Sequence, residues 1–529
     1  MMKGRILRCL PFLFAGLLAA CGTTPLAPWS PDLGNGEYRN PVIHADYSDP
    51  DAIRVGDTYY LISSSFNSAP GLPLLQSPDL VNWTLVGHAL PQQVPLDVYA
   101  KPQHGNGVWA PCLRYHDGKF WIFYPDPDYG IYVMTAKDFA GPWSAPHLLL
   151  AGKGLIDPAP LWDDDGQAYL VHAWARSRAG FANVLTLRRM APDASRVLDD
   201  GGKVIIDGNK LPNYTTLEGP KLYKRDGYYY VFAPAGGVEN GWQSAFRSRS
   251  IEGPYEDRVV MAQGRSPVNG PHQGAWVQSA QGEDWFIHFQ DKRAYGRVVH
   301  LQPIQWRDGW PLIGEDVGGT AGQPVARYRK PVSGHAAAVP ATSDEFNDAT
   351  LGLQWQWNAN WQPSWYALGD GHLRLFSQAR TGNLWDVPSL LLQKLPAEAF
   401  TVTTKLDASG LADGGVAGLL MYGADYTWLG TRRSDGRTQL ALVSCYKADA
   451  RCHEQQEAGV ELPSPQVWLR MQVLAGGITN FSYSVDGVQY TPIGAQFTAR
   501  MGRWVGAQMG LFSAGVGGHA DIDYFRVTP

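Results

Sequence analysis

Charge is scarce in this chain, and what there is nearly cancels. Only 18 % of the 529 residues are Asp, Glu, Lys or Arg, and 44 basic against 49 acidic side chains leave a net charge of −5. A polycation built to neutralise phosphates is excluded, and nucleic acid with it as a partner. Long apolar runs are equally scarce. One stands out, Leu10 to Ala20, and it is too short to span a bilayer stably. Cysteine is limited to five residues. What abounds instead is aromatic side chains (20 Trp, 25 Tyr, 18 Phe) together with 59 Gly and 38 Pro. That mixture suits many short strands joined by tight turns and fits badly with helical bundles or disorder. At about 150 residues per domain, the length predicts two or three domains.

The apolar run follows Lys3, Arg5 and Arg8 and ends Leu18-Ala19-Ala20-Cys21-Gly22. Charged head, short greasy core and small residues before a cysteine resemble the lipobox of bacterial lipoproteins. Residues 1–20 are therefore expected to be a signal peptide and Cys21 a lipid anchor, giving an exported lipoprotein of the periplasm or cell surface, held on the outer membrane. An ordinary cleaved signal containing a cysteine is the alternative. Export implies an oxidising compartment, in which Cys445 and Cys452, flanking the polar stretch from Tyr446 to Arg451, could bridge a hairpin. Metal binding there would need more ligands than His453 offers. Cys112 lies in an apolar segment and reads as a small buried hydrophobe.

An internal repeat organises the next three hundred residues. An apolar strand, a polar turn with Gly and an aromatic-rich second strand recur five times, with turn glycines at Gly56, Gly118, Gly166, Gly227 and Gly282. Their spacings of 62, 48, 61 and 55 residues are long for helical solenoids and fit a four-stranded blade with generous loops. Five blades closing into a β-propeller over residues 32–325 follow, since closure protects the strand edges that separate sheets would expose. A linker spans 326–340. Beyond it, segments such as Phe400 to Leu406 alternate like half-buried strands, predicting a β-sandwich over 341–529. The fold class is all-β.

Equivalent positions at the start of each repeat carry Asp49, Trp109, Asp157, Glu218 and His272. In a propeller the innermost strands line the central axis, so these side chains converge. Three carboxylates brought together raise one another's pKa, an arrangement costly to a structural core and useful to a catalyst. Hydrolysis of a glycosidic bond needs such a group: one carboxyl protonated, to donate to the leaving oxygen, and another ionised. Carboxyls on opposite blades, about 6.5 to 9.5 Å apart, would leave room for a water and so predict inversion at the anomeric carbon.

The phrases Asp49-Pro50, Trp109-Ala110-Pro111, Ile156-Asp157-Pro158, Glu218-Gly219-Pro220, His272-Gln273-Gly274, His288-Phe289-Gln290 and Gly296-Arg297-Val298-Val299-His300 closely resemble family 43 of the glycoside hydrolases, in order and across the whole repeat region. The segment from Asp344-Glu345-Phe346 to Asp521-Ile522-Asp523-Tyr524-Phe525 is similar to the concanavalin-like sandwich that follows the propeller in its β-xylosidase and arabinofuranosidase members. The resemblance implies that Asp49 is the general base, Glu218 the general acid, and Asp157 the residue that orients the acid and keeps its pKa high. It suggests sugar contacts from Phe66, Trp109, His272 and Gln290, and from Arg297 near the acid. His272 is also open to a core role or to ligating a hydrated axial cation. No cofactor is required for the chemistry, while Glu345 and Asp523 are the candidate ligands of a structural calcium ion. Solvated strand ends explain that pair equally well.

The expected activity is an inverting, exo-acting release of terminal α-L-arabinofuranosyl or β-D-xylosyl units from plant cell-wall oligosaccharides. An endo-arabinanase-like hydrolase and a non-catalytic carbohydrate-binding propeller are the alternatives.

Overall fold

The structure, a computed structural model, describes residues 29–380 and 382–529. The expected signal peptide and Cys21 lie outside them. Among the described residues no helix is long and apolar enough to cross a membrane.

Five four-stranded antiparallel sheets follow one another along the chain, each ordered as a simple meander. Their innermost strands are Asp51–Val55, Cys112–His116, Leu155–Trp162, Lys221–Arg225 and His272–Gln278, so each repeat recognised in the sequence supplies one blade. The turns explain why the repeats form hairpins. At Asp117-Gly118 and Asp226-Gly227 both turn residues hold positive φ, the conformation that two-residue hairpins demand and that Asp-Gly supplies cheaply.

Apolar side chains fill every seam between neighbouring blades. Ile62 and Leu74 of blade one meet Leu113 and Ile122 of blade two, blades two to four share a continuous cluster around Phe123, Leu170 and Val231, and Phe232 packs on Phe286 between blades four and five. Tyr59 and Leu61 close the ring against Val277 and Ile287 of blade five. Outside the blades, Glu37–Arg39 pairs with Arg327–Arg329, tying the segment before the first blade to the segment after the last. A closed ring leaves no inter-blade face in water, which is why five marginal sheets form one stable body.

Residues 356–528 fold into two seven-stranded antiparallel sheets packed face to face. The strand Phe400–Asp407 alternates buried and half-buried positions as its sequence predicts. Cys445 and Cys452 are joined by a disulfide with their Cα atoms 5.9 Å apart, and Cys112 is free and buried.

Sandwich and propeller are firmly joined. Ala69 and Trp357 exchange backbone hydrogen bonds, Gln93 and Asn360 do so through the Asn360 carboxamide, and Tyr295 of the propeller enters the sandwich core, its hydroxyl donating to Glu398 O at 2.8 Å. Asp46 completes the junction by accepting from Arg297 N at 2.9 Å and from Gly506 N at 2.8 Å.

Candidate active site

Asp49, Asp157 and Glu218 enter the innermost strands of blades one, three and four, and all three line a single cavity of about 490 Å³, measured to its open mouth. Asp49 and Asp157 hold φ of 53° and 54°. Such backbone strain in non-glycine residues persists only where the surroundings fix it, and it aims both carboxylates at the axis instead of along the sheet.

Asp49 is 5 % exposed. Its Oδ2 accepts from Ser64 Oγ at 2.6 Å and Ser48 Oγ at 2.7 Å, and Arg297 Nη1 lies 3.1 Å from Oδ1. Two hydroxyl donors and a guanidinium compensate its charge and fix its plane. Arg297 lines the same cavity as Glu218, as expected of a sugar contact, and its guanidinium pairs with Asp49. The reason is topological: Arg297 begins the third strand of blade five, which adjoins blade one in the closed ring.

Asp157 is buried, and its Oδ2 accepts from Gly219 N at 2.8 Å. Burial first, and the neighbouring Glu218 carboxylate second, push its pKa from 3.8 up to about 8. The Asp157 carboxyl therefore keeps its proton well above the ordinary carboxylate range. Glu218, more open to the cavity, has Oε1 3.2 Å from His272 Nε2. Gly219 makes the approach feasible: at φ +61°, a Cβ there would sit 2.9 Å from Gln273 Cγ.

Phe66 and Trp109 line the cavity as expected, Trp109 anchored by its indole N–H on Gly105 O at 2.8 Å. His272 and Gln290 do not line it. His272 is fully buried behind Glu218 and acts on it by hydrogen bonding. Gln290 is directed away, donating to Asn269 Oδ1 at 2.7 Å and Pro267 O at 3.1 Å and facing His300, so it braces a loop instead of meeting sugar. The arrangement of Glu345 and Asp523 does not fit a calcium ligand set. Glu345 gives both oxygens to a fork from Arg526, and Asp523 pairs with Lys405 at 3.2 Å. Among the described residues no three His, Cys, Asp or Glu side chains stand together as a metal site. His272 Nδ1, buried without a hydrogen-bond partner, offers one imidazole nitrogen to a cation, which is no ligand set by itself.

Sequence reasoning missed Val238, Gln273 and Trp504, which complete the wall. Trp504 belongs to the sandwich. It packs edge-on against Trp109 with ring centroids 6.2 Å apart, and the Arg297 guanidinium lies 5.9 Å from its ring. No repeat signal points to it, because its position follows from domain docking and not from blade symmetry. A buried carboxylate held by one guanidinium and two hydroxyls, a pair of carboxyls from the neighbouring blades three and four and three aromatic walls together can protonate a leaving oxygen on one side of a sugar and activate water on the other.

The sequence profile described as Glycosyl hydrolases family 43 matches residues 38–311, and that of the Beta xylosidase C-terminal Concanavalin A-like domain matches 343–528. A protein of Xylanibacter ruminicola with a provisional beta-xylosidase name is 37 % identical over 499 residues, covering 91 % of this chain and 87 % of its own. A non-reducing end alpha-L-arabinofuranosidase of Bacteroides ovatus is 28 % identical, with 93 % and 95 % covered. The crystal structure of a xylan beta-1,4-xylosidase from Bacillus halodurans superposes with a TM-score of 0.83 at 26 % identity, covering 93 % of this chain and all of that one.

Proposed function

The chain belongs to family 43 of the glycosyl hydrolases and is a glycoside hydrolase, and from that premise we propose that it releases terminal β-D-xylosyl or α-L-arabinofuranosyl units from plant cell-wall oligosaccharides with inversion. The observation that carries this reading is the convergence of Asp49, Asp157 and Glu218 on one cavity closed by Trp504.

In this mechanism Asp49, oriented by Ser48, Ser64 and Arg297, takes a proton from the water that attacks the anomeric carbon. Glu218, the more open member of the carboxyl pair, delivers a proton to the glycosidic oxygen. Asp157 never meets the sugar. It holds the Glu218-Gly219 backbone through its bond to Gly219 N and so orients the acid. Walls supplied by Phe66, Trp109 and Trp504 favour a pocket for a terminal sugar over an open groove for internal cleavage. Xylopyranosides and arabinofuranosides present similar hydroxyl geometry, and relatives carry names of both kinds.

The test is hydrolysis of 4-nitrophenyl β-D-xyloside beside the α-L-arabinofuranoside. Glu218→Gln and Asp49→Asn should each cut kcat by at least about a thousandfold with oligosaccharide binding retained, and NMR of the first-formed anomer should show inversion. Hydrolysis unaffected by both substitutions would leave the carbohydrate-binding propeller as the better reading. Export and lipidation at Cys21 rest on the leader sequence alone. Incorporation of labelled palmitate into the wild type, absent from Cys21→Ser, is the expected result.

A further inference from the structure

A second cavity lies at the seam between propeller and sandwich and shares no lining residue with the catalytic pocket. Its walls are mostly apolar, with Pro31, Pro41, Val42 and Pro73 from the propeller side, Pro340 from the linker and Pro396 from the sandwich. Eight polar side chains line it: His44, Thr342, Gln354 and Gln356, and a group of four, Tyr47, His88, Gln393 and Lys394.

Every one of these four lacks a side-chain hydrogen bond among the described residues, although polar neighbours such as Gln354 and Gln356 are bonded to Ser343 O and Pro70 O. Gln393 is only 2 % exposed, and its carboxamide nitrogen is buried without a partner. The Lys394 ammonium lies 5.3 Å from the centre of the Tyr47 ring. A ring face attracts a cation but accepts no N–H bond from three donors. The nearest acid, Asp46, has both oxygens committed to Arg297 N and Gly506 N. Lys394 is half-buried, and an ammonium without a counter-ion in an apolar seam favours a ligand that complements it.

The charge balance selects the complement. Burial lowers the Lys394 pKa, with Asp46 opposing, holds His88 down to about 3, with Lys394 adding to the effect, and raises the Tyr47 phenol. His88 is thus neutral and Tyr47 a hydroxyl donor at ordinary pH. With Lys394 charged, the cavity offers one cation and neutral donors, which matches a monoanion and leaves a dianion half unpaired.

We propose that this seam cavity binds a small monocarboxylate, its oxygens taken by the Lys394 ammonium and the Tyr47 hydroxyl and its apolar part lying against the proline walls. Such a carboxylate could be a free short-chain acid or the carboxyl of a uronic sugar. The inference does not rest on the identity of the sugar cleaved in the catalytic pocket.

The full chain is titrated near neutral pH and constant ionic strength with sodium acetate, sodium D-glucuronate, sodium phosphate and sodium chloride, and thermal unfolding is followed alongside calorimetric binding. Acetate, glucuronate or both should raise the Tm saturably above the chloride control, since a ligand bound only by the folded state stabilises it. Which of the two binds more tightly separates the free-acid source from the sugar source. Lys394→Met should weaken that binding at least about tenfold and leave kcat/KM on the nitrophenyl glycosides unchanged. Should that variant fail to fold, Tyr47→Phe, which keeps the ring and removes the donor, should weaken binding several-fold. The proposal is overturned if neither carboxylate exceeds chloride, if phosphate alone does, or if the variants that fold bind as tightly as the wild type.

Discussion

Trp504, from the sandwich, meets Trp109, from the propeller, edge to face across the mouth of the catalytic cavity, with ring centroids 6.2 Å apart. The second domain thus supplies part of the active-site wall. Trp504 is 47 % exposed despite its size, and an exposed indole beside a sugar pocket is placed to pack on substrate. Trp504→Ala should raise KM for the nitrophenyl glycosides about tenfold, on the order of 1.4 kcal/mol of binding, with kcat changed less than threefold. A fall in kcat with unchanged KM would mean that the ring acts on the catalytic groups instead.

The carboxyl pair makes a prediction about pH in which the sign is fixed. The pKa of Asp157 is raised from 3.8 to about 8 in the folded protein, so its protonated form contributes stability that is complete below about pH 4 and is lost as pH climbs through 8. Asp157→Asn keeps an acceptor for Gly219 N and cannot ionise. Its Tm relative to the wild type should therefore improve steadily from pH 4 to 8 and level off above. A Tm difference that does not vary with pH would rule out a proton held on Asp157 in this range.

Much of this architecture was legible because a propeller writes its symmetry into the chain. Repeated strand-turn-strand phrases gave the five blades, and Asp49, Asp157 and Glu218 occupy matching places in three of them, so their convergence follows from closure alone. Arg297, Gln290 and His272 were legible only as near the axis. Their facing depends on which strand of blade five they occupy and on the register between strands, and a motif carries neither. Trp504 was not legible at all, since it belongs to a loop whose approach is set by Asp46 bonding Gly506 N across the domain junction. Glu345 and Asp523 show the opposite failure, because strand-end carboxylates suit a cation by type while the cations beside them are Arg526 and Lys405.

Beneath the catalytic carboxylates lies an ionic cluster that joins three blades. Asp51, fully buried in blade one, accepts from Leu113 N at 2.6 Å and from Arg114 Nη1 at 3.1 Å in blade two, and Lys221 Nζ of blade four stands 3.7 Å away. Removing the one acid would leave the buried Lys221 and the part-buried Arg114 without an anion. Asp51→Asn should destabilise the protein by about 3 to 5 kcal/mol, seen as a lower midpoint in urea. Lys221→Met, which leaves Asp51 with Arg114, should cost less. Equal losses from the two would show that packing, not charge pairing, decides the cluster's contribution.

Gly219 couples the acid to the residue that tunes it, and this gives the most local of the predictions. Its N–H donates to Asp157 while its neighbour Glu218 carries the transferable proton, so the three positions move together. At φ +61° an alanine is strained, and its Cβ would stand 2.9 Å from Gln273 Cγ and 3.1 Å from Pro234 Cδ. Relief of that crowding must shift the Glu218 backbone, and displacement of a catalytic group by about 1 Å costs about a hundredfold in rate. Gly219→Ala should therefore lower kcat by about that factor while KM changes little and the urea midpoint falls modestly. Gln273→Gly in the same chain removes most of the obstructing side chain and should restore a measurable part of the lost rate. If the double variant is as slow as Gly219→Ala alone, backbone strain at position 219, and not the collision with Gln273, displaces the acid.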